Sequence, residues 1–270
     1  MTPRLNLLLI ALILIVGLPY YWFQLDADRD GAMPKGLSIA QLRSLAESIP
    51  GQKPTAVKYE QLGYRYILSN KLAAGTGLRP ARSALRAYEL IVPGKGPITI
   101  DGGTTPAAAE QYNVREFDHM AERRIDNAAK NASLSLLLVD HPLHNGNDGF
   151  SLPRARAMPM AETGEPHAVA PGVVVIPLPG LTIGSNMIYA RLANGREFLF
   201  TGDAAMIDSS WKEVLPPARI VTSYLRPQER KEIVSWLMTI NALARAAPHM
   251  TVISGHEPSV LTSVKRGFAD

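Results

Sequence analysis

From Leu5 to Leu25 the chain carries no charged residue, and Leu5–Gly17 is almost wholly aliphatic. As a helix such a run covers a bilayer core of about 30 Å, and it has no place in a water-soluble core unless covered on every side. Arg4 and the amino terminus precede it, and Asp26, Asp28 and Asp30 follow. Positive charge stays on the cytoplasmic side, so the remainder of the chain is expected outside the cytoplasm, in the periplasm if the source is bacterial. Tyr20, Tyr21 and Trp22 form an aromatic cluster suited to the far membrane interface. The bulky residues after the apolar run offer no prompt small-x-small cleavage site, which favours an uncleaved, single-pass anchor over a cleaved signal peptide.

The expected division is therefore an anchor over 1–25, a spacer with a short helix over 26–52, and a folded domain over 53–270. With 46% hydrophobic residues the chain can bury one sizeable core. The formal net charge of +4 is scattered with no block of like charges, so nothing marks a nucleic-acid surface. The absence of cysteine rules out disulfides and cysteine-ligated zinc or iron–sulfur sites.

Spacing predicts a helix over Leu37–Ser48 with Ser38 as cap. Strands are expected over Thr55–Leu68, Ser83–Val92 and Pro97–Ile100, with a Gly- and Arg-rich loop between the first two. Thr105-Pro106 opens a helix, and a second helix is expected over Arg115–Asn131. Leu134–Val139 reads as a buried strand, and Gly149–Pro171 as a long loop suited to cover a site. Gly172–Pro177 is a further strand, and Asn194-Gly195 joins Asn186–Leu192 to Glu197–Thr201 as a hairpin. A long helix over Pro227–Ala246, a strand over Met250–Ile253 and a closing helix over Val260–Phe268 complete the order. Two packed sheets with helices outside follow from this order.

Two of the six histidines, His141 and His144, lie in the loop after Leu134–Val139, flanked by Asp140 and Asp148. Imidazole and carboxylate are common zinc ligands, but two histidines alone are a weak signal. Three other strands end in similar turns, at Asp101-Gly102-Gly103, Thr201-Gly202-Asp203 and Ser254-Gly255-His256. His119, His167 and His249 read as surface or loop residues, Trp211 and Trp236 as core. Ser185 is not in a nucleophile-elbow setting.

In this constellation the sequence resembles the metallo-β-lactamase fold superfamily, from about Ala56 to the end. The family's His-x-His-x-Asp-His-x-Gly motif falls on Val139–Gly146, where His141 and His144 are kept while Val139 and Leu143 replace a His and an Asp. A later motif His falls on Leu181. The bridging Asp is matched by Asp203 and the terminal His by His256, and Asp101 takes an early structural position. The resemblance implies a four-layer αββα sandwich, here preceded by one transmembrane helix, with a damaged metal site. His144, Asp203 and His256, with His141 near, are left to hold one Zn or Fe in place of a metal pair. A metal there implies hydrolysis of a small-molecule ester, lactone or amide. The alternative is a metal-free, membrane-tethered binding or scaffold module.

Overall fold

The computed structural model describes residues 2–151, 164–181, 184–222 and 227–268. The first sheet contains β1 (Ala56–Leu68), β2 (Pro80–Ile91), β3 (Ile98–Ile100), β4 (Leu134–Leu136) and β10 (Lys265–Arg266), in the order β10-β1-β2-β3-β4. The second contains β5 (His167–Ala170), β6 (Val173–Pro177), β7 (Asn186–Arg191), β8 (Glu197–Phe200) and β9 (Thr251–Ile253), in sequential order.

Strand alternation sends side chains to two different cores. In β7, Ile188 and Ala190 face the other sheet, whereas Met187 and Tyr189 face outward. The inner core joins Tyr88, Leu90, Ile98 and Ile100 of one sheet to Val173, Phe198, Phe200 and Ile253 of the other. Outside the second sheet, Val174, Ile176 and Leu199 pack on Leu42 and Ala46 of the Ile39–Ser48 helix and on Trp236, Leu237 and Ile240 of the Pro227–Ala246 helix. Outside the first, Leu62, Leu85 and Ala87 pack on Ile125 and Ala128 of the His119–Lys130 helix. Helices thus flank both sheets.

Two parallel strand pairs place the site. A parallel pair needs a crossover, which brings both strands to the same edge running the same way. The His119–Lys130 helix lies in the crossover from β3 to β4, and the Pro227–Ala246 helix in that from β8 to β9. Phe200 pairs with Ile253, so Asp203 and His256 each stand three residues past matched positions. Glycine lets these turns touch: a Cβ on Gly255 would meet the Gly202 carbonyl at 2.5 Å.

Several expected boundaries shift for identifiable reasons. Ser38 and Thr105 cap their helices as expected, accepting from the Gln41 and Ala108 amides. The expected Arg115–Asn131 helix begins at His119, because Arg115 pairs with Tyr64 and Asp118 supplies the cap. The Leu134–Val139 strand stops at Leu136, since the Leu138 amide turns to Asp101 and its carbonyl accepts from Asn186. The expected closing helix over Val260–Phe268 is overturned. Its backbone is drawn to the first sheet, with β10 parallel to β1, Gly267 N bonded to Tyr59 O, and Phe268 N to Glu60. Of the expected loop over Gly149–Pro171, residues 152–163 lie outside the described residues, and its end forms β5.

Pro3–Leu25 forms a helix long and apolar enough to cross a membrane, with its side chains open to the surroundings; signal sequences meet the same test. Residues 26–52 pack on the body: Ala32, Leu42 and Ala46 enter the outer core of the second sheet. Asp26 meets Arg219 at 2.5 Å, and Asp30 meets both Arg219 (2.7 Å) and Arg230 (2.9 Å).

Candidate metal centre

Asp101 follows β3 with φ of 64°, a left-handed conformation that Asp tolerates better than most residues. That turn aims both carboxylate oxygens inward. Oδ1 accepts from the Leu138 amide at 2.8 Å, and Oδ2 lies 2.8 Å from Nδ1 of buried His144. His256 is held in the same manner by a different acceptor, with Nδ1 3.0 Å from the carbonyl oxygen of Ala84 on β2. An acceptor opposite Nδ1 assigns the proton to that nitrogen. Each neutral ring then presents an Nε2 lone pair, and both point at Asp203.

Asp203 Oδ1 lies 3.1 Å from His256 Nε2 and 4.0 Å from His144 Nε2. The ligand atoms of the three residues all lie within 4.8 Å of one another. Three lone-pair donors facing one point repel unless a cation lies among them, either a proton or a metal ion. Ligands about 2.1 Å from a tetrahedral zinc stand about 3.4 Å apart, and the 3.1 and 4.0 Å pairs bracket that spacing. The donor set therefore fits one ion with three protein ligands and an open place. Two histidines and a carboxylate suit Zn²⁺ or, as a facial triad, Fe²⁺.

The charge environment agrees. Burial opposes protonation of His144, but the bonded Asp101 carboxylate and the nearby Asp203 outweigh it and raise its pKa. Crowding raises the pKa of Asp203, yet the His256 contact and the positive potential of His256, His144 and His141 prevail and hold it well below the usual carboxylate range. The Asp203 side chain remains about a third open (35%), so the cluster has a solvent-facing side.

His141 stands beside the cluster and outside it. Its Nδ1 accepts from the Leu143 amide at 3.1 Å, which places the proton on Nε2 and leaves that nitrogen no lone pair in the neutral ring. The ring lies between Tyr112 (4.9 Å between centroids) and Phe150 (5.4 Å), and burial pushes its pKa down to about 4. His141 is counted among the metal residues on the sequence, but its nitrogens are not among the converging atoms, which come from His144, Asp203 and His256. Asp140 and Asp148, which flank the histidines, serve the loop instead. Asp140 accepts from Asn145 Nδ2 and the Ser151 amide, and Asp148 accepts from the Thr105 hydroxyl. Val139, Leu143 and Leu181 are buried; Leu143 joins the core outside the first sheet and Leu181 the core outside the second.

One charged neighbour escaped the sequence reading. Arg65 on β1 is half-buried, stands over the Tyr112 ring (6.0 Å to its centroid), and feels the charge of Asp203. Among the described residues its guanidinium has no hydrogen-bond or ion-pair partner. In the sequence it is one charge among the tyrosines of an alternating strand, and nothing local distinguishes it from a solvated position.

The fold is that of the metallo-β-lactamase superfamily. Known structures with the same arrangement include a quorum-quenching N-acyl homoserine lactone hydrolase, at TM-score 0.60 and 16% identity, covering 77% of this chain and 95% of that one. Another structure of an N-acyl homoserine lactone hydrolase, solved with N-hexanoyl-L-homoserine at its catalytic metal centre, aligns at TM-score 0.59 and 14% identity over the same shares. A probable metal-dependent hydrolase from Staphylococcus aureus aligns at TM-score 0.52 and 10% identity, over 76% of this chain and 91% of that one. No protein-family model and no curated sequence matches the chain.

Proposed function

We propose that the protein is a membrane-anchored, mononuclear metal-dependent hydrolase of an ester, lactone or amide. Residues 1–25 form its single-pass anchor, the N-terminus is cytoplasmic, and residues 53–270 form a four-layer αββα catalytic domain outside the cytoplasm. The observation that carries the reading is the convergence of His144 Nε2, His256 Nε2 and Asp203 Oδ1, with both Nδ1 protons committed elsewhere. The lactone hydrolases that share the fold support the reaction class.

His144, His256 and Asp203 would hold a zinc or ferrous ion, which when bound would make water acidic enough to serve as a nucleophile near neutral pH. The chain's own residues do the rest. Asp101 and the Ala84 carbonyl fix the two imidazole tautomers and planes, as groups behind metal ligands commonly do. Asp203 presents a charged oxygen on the open side. Arg65, without a carboxylate partner among the described residues, is placed to hold an anionic or carbonyl oxygen of the substrate against that face. His141, neutral at working pH and backed by aromatic rings, lines the wall and offers an Nε2 proton as a hydrogen-bond donor.

The second reading is a metal-free, tethered binding module. It is favoured by the burial of Val139, Leu143 and Leu181 at positions where the superfamily pattern places ligands. Elemental analysis of the detergent-purified full chain separates the two. Binding near one equivalent of zinc or iron, lost in His256→Ala, supports the hydrolase. Less than about a tenth of an equivalent after loading, unchanged by His256→Ala, sinks it.

A further inference from the structure

Large apolar side chains exposed outside the N-terminal helix are few, and they cluster. Of the seven among the described residues, Tyr66, Leu68, Leu78 and Ile220 lie on the tip of the β1–β2 hairpin and on the Arg219–Thr222 turn. These are the elements that meet the end of the apolar helix. Asn70 Nδ2 bonds Gln24 Oε1 at 3.3 Å, and Gly75 N bonds the Gln24 carbonyl at 3.3 Å. The Arg219 guanidinium sits 4.1 Å from the centre of the Trp22 ring while holding Asp26 and Asp30. The hairpin tip is thereby fixed beside Tyr20–Leu25, the level at which a membrane-spanning helix leaves the hydrocarbon.

Charge at this place favours an anionic surface. Lys71 and Arg79, both exposed at the tip, have no side-chain partner among the described residues. Asp26 and Asp30 are neutralised by Arg219 and Arg230, and Asp28 is the acid that remains near the helix end. An exposed apolar cluster beside free cations is the composition of an interfacial contact, which sinks about 5–10 Å into the headgroup region.

We infer that the β1–β2 tip and the Arg219–Thr222 turn rest on an anionic bilayer surface, with Leu68 and Leu78 in the headgroup layer. The inference rests on the anchored reading of Pro3–Leu25. Its consequence is geometric: Arg65 lies three residues before Leu68, about 10 Å along the strand. The mouth of the proposed metal site would then face the membrane surface, within reach of an amphiphile whose chain stays in the bilayer.

The chain has no cysteine, so single-cysteine variants label at one place. Full-length Leu68→Cys, Leu78→Cys, Leu14→Cys and Asn194→Cys are each labelled with an environment-sensitive fluorophore. They are then placed in nanodiscs of phosphatidylcholine with phosphatidylglycerol carrying a lipid-bound quencher. Asn194 is the distant reference: its neighbour Ala193 bonds Pro54, before the start of β1 and at the opposite end of that strand from the tip. The expected result is quenching at positions 14, 68 and 78, with the latter two at least about twofold above position 194, and a reduction at 78 on adding Lys71→Glu and Arg79→Glu. Quenching at 14 with positions 68 and 78 no better than 194 overturns the contact while the anchor stands. No quenching at 14 overturns the anchor and the contact with it. Shielding of 68 and 78 from aqueous iodide without lipid quenching means that a protein covers the face, and it too overturns the inference.

Discussion

His141 and His144 lie three residues apart in one loop, yet the fold makes opposite groups of them. His144 has a carboxylate behind Nδ1, so its Nε2 lone pair faces Asp203 and its pKa is raised. His141 has a backbone amide behind Nδ1, so its Nε2 carries the proton, and burial among aromatic rings pushes its pKa down to about 4. The same contrast divides the two sides of the site. On the His144 side the supporting acceptors Asp101 and Ala84 are in place. On the His141 side the neighbouring Val139 and Leu143 are buried apolar residues. The group behind a histidine, more than the histidine itself, decides whether it can bind a metal.

The comparison breaks most sharply if the converging trio is dispensable. Asp203→Asn and His256→Ala are each expected to remove the metal and to lower hydrolysis at least about a thousandfold. Metal content and single-turnover hydrolysis of a lactone or aryl ester check this, and full metal retention in both variants would refute the assignment. His141→Asn is expected to keep the metal.

Next in size is Leu143→Asp, which restores a carboxylate where the superfamily pattern has one. Leu143 packs with Leu62, Leu85 and Ile125. Without metal the buried acid is expected to cost about 3 kcal/mol, or roughly 6–12 °C in Tm, read by thermal unfolding in chelator. Unchanged Tm would show that this side of the site is less committed to packing than its burial indicates.

Asp101→Asn is smaller. Asparagine tolerates the left-handed backbone at this position, so the change tests charge more than conformation. Metal affinity is expected to fall about 10–100-fold with the fold intact, measured by competition with a chelating dye.

The smallest effects are the pH slopes of the metal-free protein. His141 titrates about 4 when folded, below its ordinary value of 6.5, so the unfolded chain binds its proton first and stability falls as pH drops from 6.5 towards 4. His144 has a raised folded pKa, so its contribution is complete below 6.5 and is lost as pH rises through that folded value. Urea midpoints in chelator are expected to lose the acid-side slope in His141→Leu and the neutral-side slope in His144→Asn. Loss of the same limb in both variants would erase the distinction between the two histidines.

Much of this protein is readable without coordinates, because the signals are local. A charge-free run, helix caps at Ser38 and Thr105, the Asn194-Gly195 hairpin and polar turns at strand ends depend on residues a few positions apart. The superfamily fold and the nearness of Asp203 and His256 to the histidine loop follow from such signals taken in order. The closing segment misled, because Val260–Phe268 is governed by Tyr59 and Glu60 and not by its own spacing.

The sequence by itself determined where polar groups end each strand and which ligand positions are apolar. Tertiary structure alone decided which nitrogen of each histidine is free. The acceptor for His144 comes from 43 residues away and that for His256 from 172, distances over which no local pattern carries information. It also turned Arg65 from an ordinary strand charge into a half-buried cation that feels the charge of Asp203, because only packing sets how much solvent a side chain keeps.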